Sequence, residues 1–244
     1  MEELSSRSLR VVFLYLYMAS RYDNPTDNLD LLERMLRRLA DHQPNLVLTP
    51  ELAVSGYAFH SSIGADWIQD DIPVVLECFS RLCKELRIAL LLGMPVYDPN
   101  SGKHFNAAAL IAETGLVAGT HHKILVLPSS IEGWSPPGSQ ALPVAWRRYP
   151  LGLMICADAY SARIGGELAQ NGAQVLLSLA AWAPGERAPS GEWEQRSLET
   201  GLPMLVCNRT WRDLSMNFKG SSSVIVTGGR RVSEYKETSP PILL

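Results

Sequence analysis

Short apolar runs alternate with amphipathic segments along most of this chain, and that alternation constrains its fold more than any other feature. Residues 10–17, 45–49 and 88–94 read as buried strands, too short for helices and bounded by turn signals. Between them, residues 24–40 place Leu29, Leu32, Met35, Leu36 and Leu39 at helical spacing, and residues 72–86 are helical again. Asn24 or Thr26 can cap the first helix. Residues 106–112 and 116–120 flank Glu113-Thr114-Gly115 and read as a hairpin. The series then restarts. Strands are expected at 151–155, 175–179 and 204–207, with helices at 161–171 and 193–200 closed by Gly172 and Gly201. A last hairpin joins 222–227 to 231–235 around Gly228-Gly229. Each half therefore reads β-α-β-α-β followed by a hairpin. Sheets of this kind, covered by helices on one face each, form an α/β architecture. Functional residues are expected at the C-terminal ends of the strands.

Composition narrows the function classes. With 46% hydrophobic and 19% charged residues among 244, the chain is not disordered. No linker divides it, so one domain over residues 1–244 is expected. A net charge of −3 gives no basic field for nucleic acid. The apolar run beginning at Val11 is about ten residues, half of what a membrane span needs, and its flank is wrong for a signal peptide. Cys78, Cys83, Cys156 and Cys207 lack zinc or redox spacing. A cytoplasmic protein with reduced thiols is expected, with no nucleic-acid or membrane partner.

Three chemically capable residues sit at strand ends. Glu51 follows Leu46-Val47-Leu48-Thr49-Pro50. A carboxylate at the mouth of a buried strand is partly desolvated, which raises its pKa and suits it to proton transfer. It also fits a simple cap on the turn at Ala53-Val54-Ser55-Gly56. Lys123 follows the second hairpin strand and can serve a carboxylate or a developing oxyanion, with Glu132 nine residues on to fix its ammonium. The plainer alternative is a solvated edge lysine. Cys156 comes directly after a fully apolar strand, at a strand-to-helix turn. Backbone N–H groups there favour thiolate and can form an oxyanion hole. A buried core thiol is the alternative, and it suits Cys78, Cys83 and Cys207.

Together these segments resemble the nitrilase, or carbon–nitrogen hydrolase, superfamily. The matching pieces are Pro50-Glu51 with Gly56-Tyr57, His122-Lys123 with Leu127-Pro128 and Glu132, and Ile155-Cys156-Ala157-Asp158. Gly172-Ala173, Trp182, Trp193 with Arg196 and Glu199, and Asn208-Arg209 support it, so the resemblance spans roughly residues 8 to 235. It implies a four-layer α-β-β-α sandwich whose protomers pair through a helical layer as a homodimer or larger homo-oligomer. It also implies roles: Cys156 as nucleophile, Glu51 as general base and later acid, Lys123 as stabiliser of the tetrahedral intermediate, Glu132 as the additional glutamate. The Ala157 N–H would complete the oxyanion hole. The reaction implied is hydrolysis of a small linear amide or N-carbamoyl compound through a Cys thioester, with no metal or organic cofactor.

The departures from the family pattern carry information. Many members have a large aromatic after the cysteine, and nitrile-cleaving ones have Cys-Trp-Glu; here the sequence is Cys156-Ala157-Asp158. That looks more like the amidase and carbamoylase branches, or the glutaminase domains of some synthetases, and argues against a nitrilase; acyl transfer to an acceptor other than water stays an alternative on the same fold. The familiar Arg-Phe-Pro is replaced by Ser161-Ala162-Arg163. The end at Pro240-Pro241-Ile242-Leu243-Leu244 suggests a reduced C-terminal arm. By position, Tyr57, His60, Trp134, Asp158, Tyr160 and Trp182 are candidate substrate contacts. Asp158 among them can pair with a substrate cation or with Arg163, and an aromatic, acid-bearing pocket would suit a small amide with a cationic or polar tail. A catalytically silent binding member is the reading from another class, against which the three catalytic residue types count.

Overall fold

The computed structural model describes residues 9–14, 26–127, 131–185, 189–213 and 216–236. Its first half runs β1 (Val11–Phe13), α1 (Thr26–Leu39), β2 (Leu46–Leu48), a short α2 (His60–Ile63), α3 (Ile68–Leu86), β3 (Ala89–Asp98), β4 (Lys103–Ile111) and β5 (Val117–His122). These strands form a five-stranded sheet in the order β1-β2-β3-β4-β5, parallel through β3 and antiparallel beyond. The second half runs β6 (Val144–Trp146), β7 (Tyr149–Ile155), α4 (Ala162–Gln170), β8 (Val175–Ala180), α5 (Glu192–Thr200) and β9 (Met204–Asn208). A small ribbon of β10 (Arg212–Asp213) and β11 (Met216–Asn217) precedes the hairpin β12 (Ser222–Thr227) and β13 (Arg230–Lys236). The second sheet is six-stranded, in the order β13-β12-β9-β8-β7-β6. Its central strands β7, β8 and β9 are parallel.

Strand alternation sorts the core into layers, because successive side chains point to opposite faces. Leu46, Leu48 and Leu91 of the first sheet pack with Leu151, Leu153, Ile155, Leu177 and Leu179 of the second. Val47, Leu90 and Leu92 instead meet Leu32, Leu36 and Leu39 of α1 and Ile72, Phe79 and Leu82 of α3. On the far side α4 lies against β7, where a methyl group at Gly152 would stand 2.8 Å from a Leu176 methyl and 3.4 Å from the Leu168 Cβ. The order is helix, sheet, sheet, helix, and the expected four-layer sandwich is present.

The local readings differ from the structure at a few edges. The expected first strand extends beyond Leu14, and residues 15–17 lie outside the described residues, as does the candidate cap Asn24, while Thr26 is the first residue of α1. Helix α3 starts at Ile68, a turn before the expected position, with Asp70 and Asp71 in its first turn facing the positive end of the helix dipole. Strand β3 continues through Pro95 to Asp98 because its antiparallel pairing with β4 extends that far. The hairpin turns at Gly115 and at Gly228-Gly229 all have positive φ, as tight reversals require. Cys78 is a correction: it is exposed rather than in the core. It lies five residues from buried Cys83, hence roughly 140° around the helix, so the two cannot share a face. Among the described residues, no helix is long and apolar enough to cross a membrane.

Candidate active site

Glu51 lies just beyond β2, in a segment pressed against β3. Gly93 permits that approach: a Cβ there would be 2.3 Å from Pro50 O and 2.9 Å from Leu52 N. The Gly93 N–H donates to Thr49 Oγ1 (2.9 Å), and Leu52 turns with φ 50°. Lys123 lies just past β5, where its N–H donates to Asn106 O (2.8 Å) and its carbonyl accepts from Gly138 N–H (2.7 Å). Cys156 opens a 3₁₀ turn (Cys156–Tyr160) at the end of β7 with φ 45°, a left-handed conformation uncommon for a side-chain-bearing residue. The two sheets bring these three strand ends together.

The polar geometry is dense. The Lys123 ammonium donates to Glu51 Oε1 (2.8 Å) and to both Glu132 oxygens (2.6 and 2.7 Å). Asn106 Nδ2 bridges the carboxyls, 2.8 Å from Glu51 Oε1 and 3.2 Å from Glu132 Oε1. Glu51 Oε2 accepts the Ala181 N–H at 2.9 Å. Arg209, fully buried, donates to the carbonyls of Glu51 and Leu52, both at 3.0 Å, and pairs with Asp213.

Electrostatics assign protons to this cluster. Burial pushes the Glu51 carboxyl up, yet the Lys123 ammonium and hydrogen bonds from Glu132, Lys123 and Asn106 outweigh it and hold Glu51 below the usual range. The raised pKa expected from desolvation alone is therefore corrected: burial came with compensating donors. Burial and the Glu51 charge push Glu132 up to about 8, against the pull of Lys123. Two carboxyls sharing one ammonium titrate as a unit, with one proton retained near neutrality. Burial and the Glu51 charge also push the Cys156 thiol well up, while Lys123 and the Ala181 N–H pull the other way. A backbone N–H does favour the thiolate, as expected, but it comes from Ala181, and burial and Glu51 outweigh it. The cluster at rest is a neutral Cys156 thiol with an ionised Glu51 carboxylate.

A cleft of about 280 Å³ opens onto Cys156, walled by Tyr57, Ala157, Tyr160, Trp182 and Met216 among others. The Tyr160 and Trp182 rings lie 4.7 Å apart. His60 and Trp134 are not among the cleft residues; they stack on one another at 6.2 Å. Asp158 is not available to a substrate cation either. It is fully buried, with Oδ1 accepting from Ile124 N (3.0 Å) and Leu125 N (2.8 Å), and Oδ2 from Ile155 N (2.9 Å) beside His121 Nε2 (2.9 Å). This one carboxylate fastens the backbone just after Lys123 to the backbone just before Cys156.

Sequence reasoning missed Asn106 and the Ala181 N–H. A single amide side chain directly before the apolar run Ala107–Ile111, with no turn after it, is a usable signal for the first. The second is a backbone group and leaves none. Pro128, part of one quoted motif, lies outside the described residues. Among the described residues, no group of three or more His, Cys, Asp or Glu side chains could hold a metal ion.

A sequence model described as carbon-nitrogen hydrolase matches residues 16–243. A probable nitrilase of Schizosaccharomyces pombe is 24% identical over 93% of this chain and 84% of its own length. An (R)-stereoselective amidase of a Pseudomonas species is 27% identical over 78% of this chain and 68% of its own. The solved amidase of Nesterenkonia sp. AN1 superposes with a TM-score of 0.82 at 26% identity, covering 94% of this chain and 89% of that one.

Proposed function

This chain belongs to the carbon–nitrogen hydrolase family, and from that premise we propose that it hydrolyses a small amide through a Cys156 thioester. One observation carries the proposal: an ionised Glu51 and a cationic Lys123, 2.8 Å apart, meet beside the Cys156 thiol, to which both are electrostatically coupled. In a glutamate-to-glutamine mutant of the Nesterenkonia amidase, acrylamide adds covalently at the active-site cysteine, which supports a nucleophilic role for Cys156.

The thiol is neutral at rest, so proton removal accompanies attack. Glu51 takes the Sγ proton as sulfur bonds to the amide carbon. The carbonyl oxygen gains the displaced electron pair, and the Lys123 ammonium and the Ala157 N–H stabilise it. The tetrahedral species collapses as Glu51 passes its proton to the nitrogen, and ammonia or an amine leaves. Glu51 then takes a proton from water, whose oxygen attacks the thioester. As the second intermediate collapses, the C–S bond breaks, the acid leaves and Glu51 returns its proton to sulfur, restoring the thiol and the ionised carboxylate. Oxyanion donors of this kind contribute ~3–4 kcal/mol each. Small Ala157, in place of a large aromatic, favours amides over nitriles. A cytoplasmic location and homo-oligomeric assembly belong to the same proposal, and sedimentation of the purified chain tests the second.

The test is Cys156→Ala. Ammonia release from a panel of amides should vanish, with circular dichroism unchanged, while acid-quenched wild type should carry an acyl mass on Cys156. Full activity in the variant would overturn the assignment.

A further inference from the structure

We infer that the cleft selects amides whose acyl group is uncharged and mainly apolar, against congeners bearing a carboxylate or an ammonium. The inference rests on the amide-hydrolase reading and narrows it, since that reading admits N-carbamoyl compounds and charged acyl chains alike. None of the described residues lining the cleft carries a formal charge: beyond Cys156 it is built of Tyr57, Tyr160, Trp182, Met216 and smaller apolar groups.

Among the described residues, three charged side chains close to that lining are already engaged by the chain. Asp158 receives three backbone N–H groups and faces His121. Asp213 accepts the Tyr57 N–H at 2.7 Å and pairs with Arg209. Arg196 pairs with Glu199 at 2.8 Å and donates to the Ala159 carbonyl. A charged substrate tail would therefore find no counter-ion among the described lining residues, and a charge that loses water without gaining a partner is strongly disfavoured. An apolar tail would meet the Tyr160–Trp182 ring pair instead. The volume of about 280 Å³ holds roughly nine heavy atoms at about 30 Å³ each. The small Ala157 side chain leaves that space open beside the nucleophile.

Four amides of similar size separate the outcomes: hexanamide, phenylacetamide, 5-aminopentanamide and glutaramate. Both kcat/KM on the native enzyme and affinity for the Cys156→Ala protein are measured. The two neutral amides should exceed the two charged ones by about 100-fold or more in each. Trp182→Ala should shrink the phenylacetamide advantage while glutaramate changes little. A charged congener that binds or reacts as well as hexanamide overturns the inference while leaving the amidase reading intact. Neutral amides that bind selectively to Cys156→Ala but are never hydrolysed by the native enzyme would sink the amidase reading and leave the selectivity standing. Equal binding of all four overturns the selectivity.

Discussion

Glu132 is the residue on which the proton balance of the site turns. With its carboxyl raised to about 8, it is protonated at neutral pH beside the ionised Glu51. Above that pH a second negative charge joins the cluster, and the already raised Cys156 thiol becomes harder to deprotonate. The expected kcat/KM profile bends downward near pH 8, and Glu132→Gln removes the bend. On the acid side, activity should persist below pH 4.5, the ordinary value for a glutamate, because Glu51 is depressed. It is lost as pH falls through the Glu51 pKa. Stability follows the same protons. Between about 4.5 and about 8 the folded protein holds a Glu132 proton that the unfolded chain has released. Raising the pH across that window should lower wild-type stability relative to Glu132→Gln, read as the difference in urea midpoints at pH 6 and pH 8.

The elements place these residues through two close approaches. Strand β3 touches the Glu51 segment at Gly93, where a methyl group would meet backbone rather than a yielding side-chain tip. Gly93→Ala should cost about 1–3 kcal/mol of stability and lower kcat at least about tenfold by displacing Glu51. Gly166→Ala is the control: nothing lies within 4 Å of its added methyl, and helix propensity favours Ala by up to ~1 kcal/mol. The second approach is the Asp158 fastening between the β5 exit and the Cys156 turn. Asp158→Asn keeps the shape but offers only one acceptor oxygen. We expect a loss of about 2–4 kcal/mol in denaturant unfolding. We also expect a fall in kcat with little change in KM, since Asp158 does not line the cleft.

At the scale of the molecule the site is a seam. Glu51, Asn106 and Lys123 come from the first sheet and its loops, while Cys156, Ala181 and Arg209 come from the second. Arg209 crosses the seam to hold the Glu51 and Leu52 carbonyls, and the Ala181 N–H crosses it to reach Glu51 itself. Neither sheet holds the Glu-Lys-Cys set alone. The two also share an interior in which Leu46, Leu48 and Leu91 pack against Leu153 and Leu177. Loss of activity in urea should therefore coincide with the tryptophan fluorescence transition that reports global unfolding. Inactivation well before that transition would mean that the seam opens first.

Much of this was legible in the chain. Apolar runs that stop abruptly at Glu51 and Cys156 gave the strand ends, and period alone gave the helices, because both signals are local. The sequence by itself determined the α/β layers, the family resemblance and the three residues most capable of chemistry. The tertiary structure alone decided what those residues experience. A strand-mouth glutamate reads as desolvated and raised until Lys123 and Asn106, distant in sequence, arrive to lower it. Asp158 reads as a substrate contact until backbone donors from the segment after β5 occupy it. Charge state and accessibility depend on the sum of neighbours in space, and neighbours far apart along the chain leave no periodicity to read.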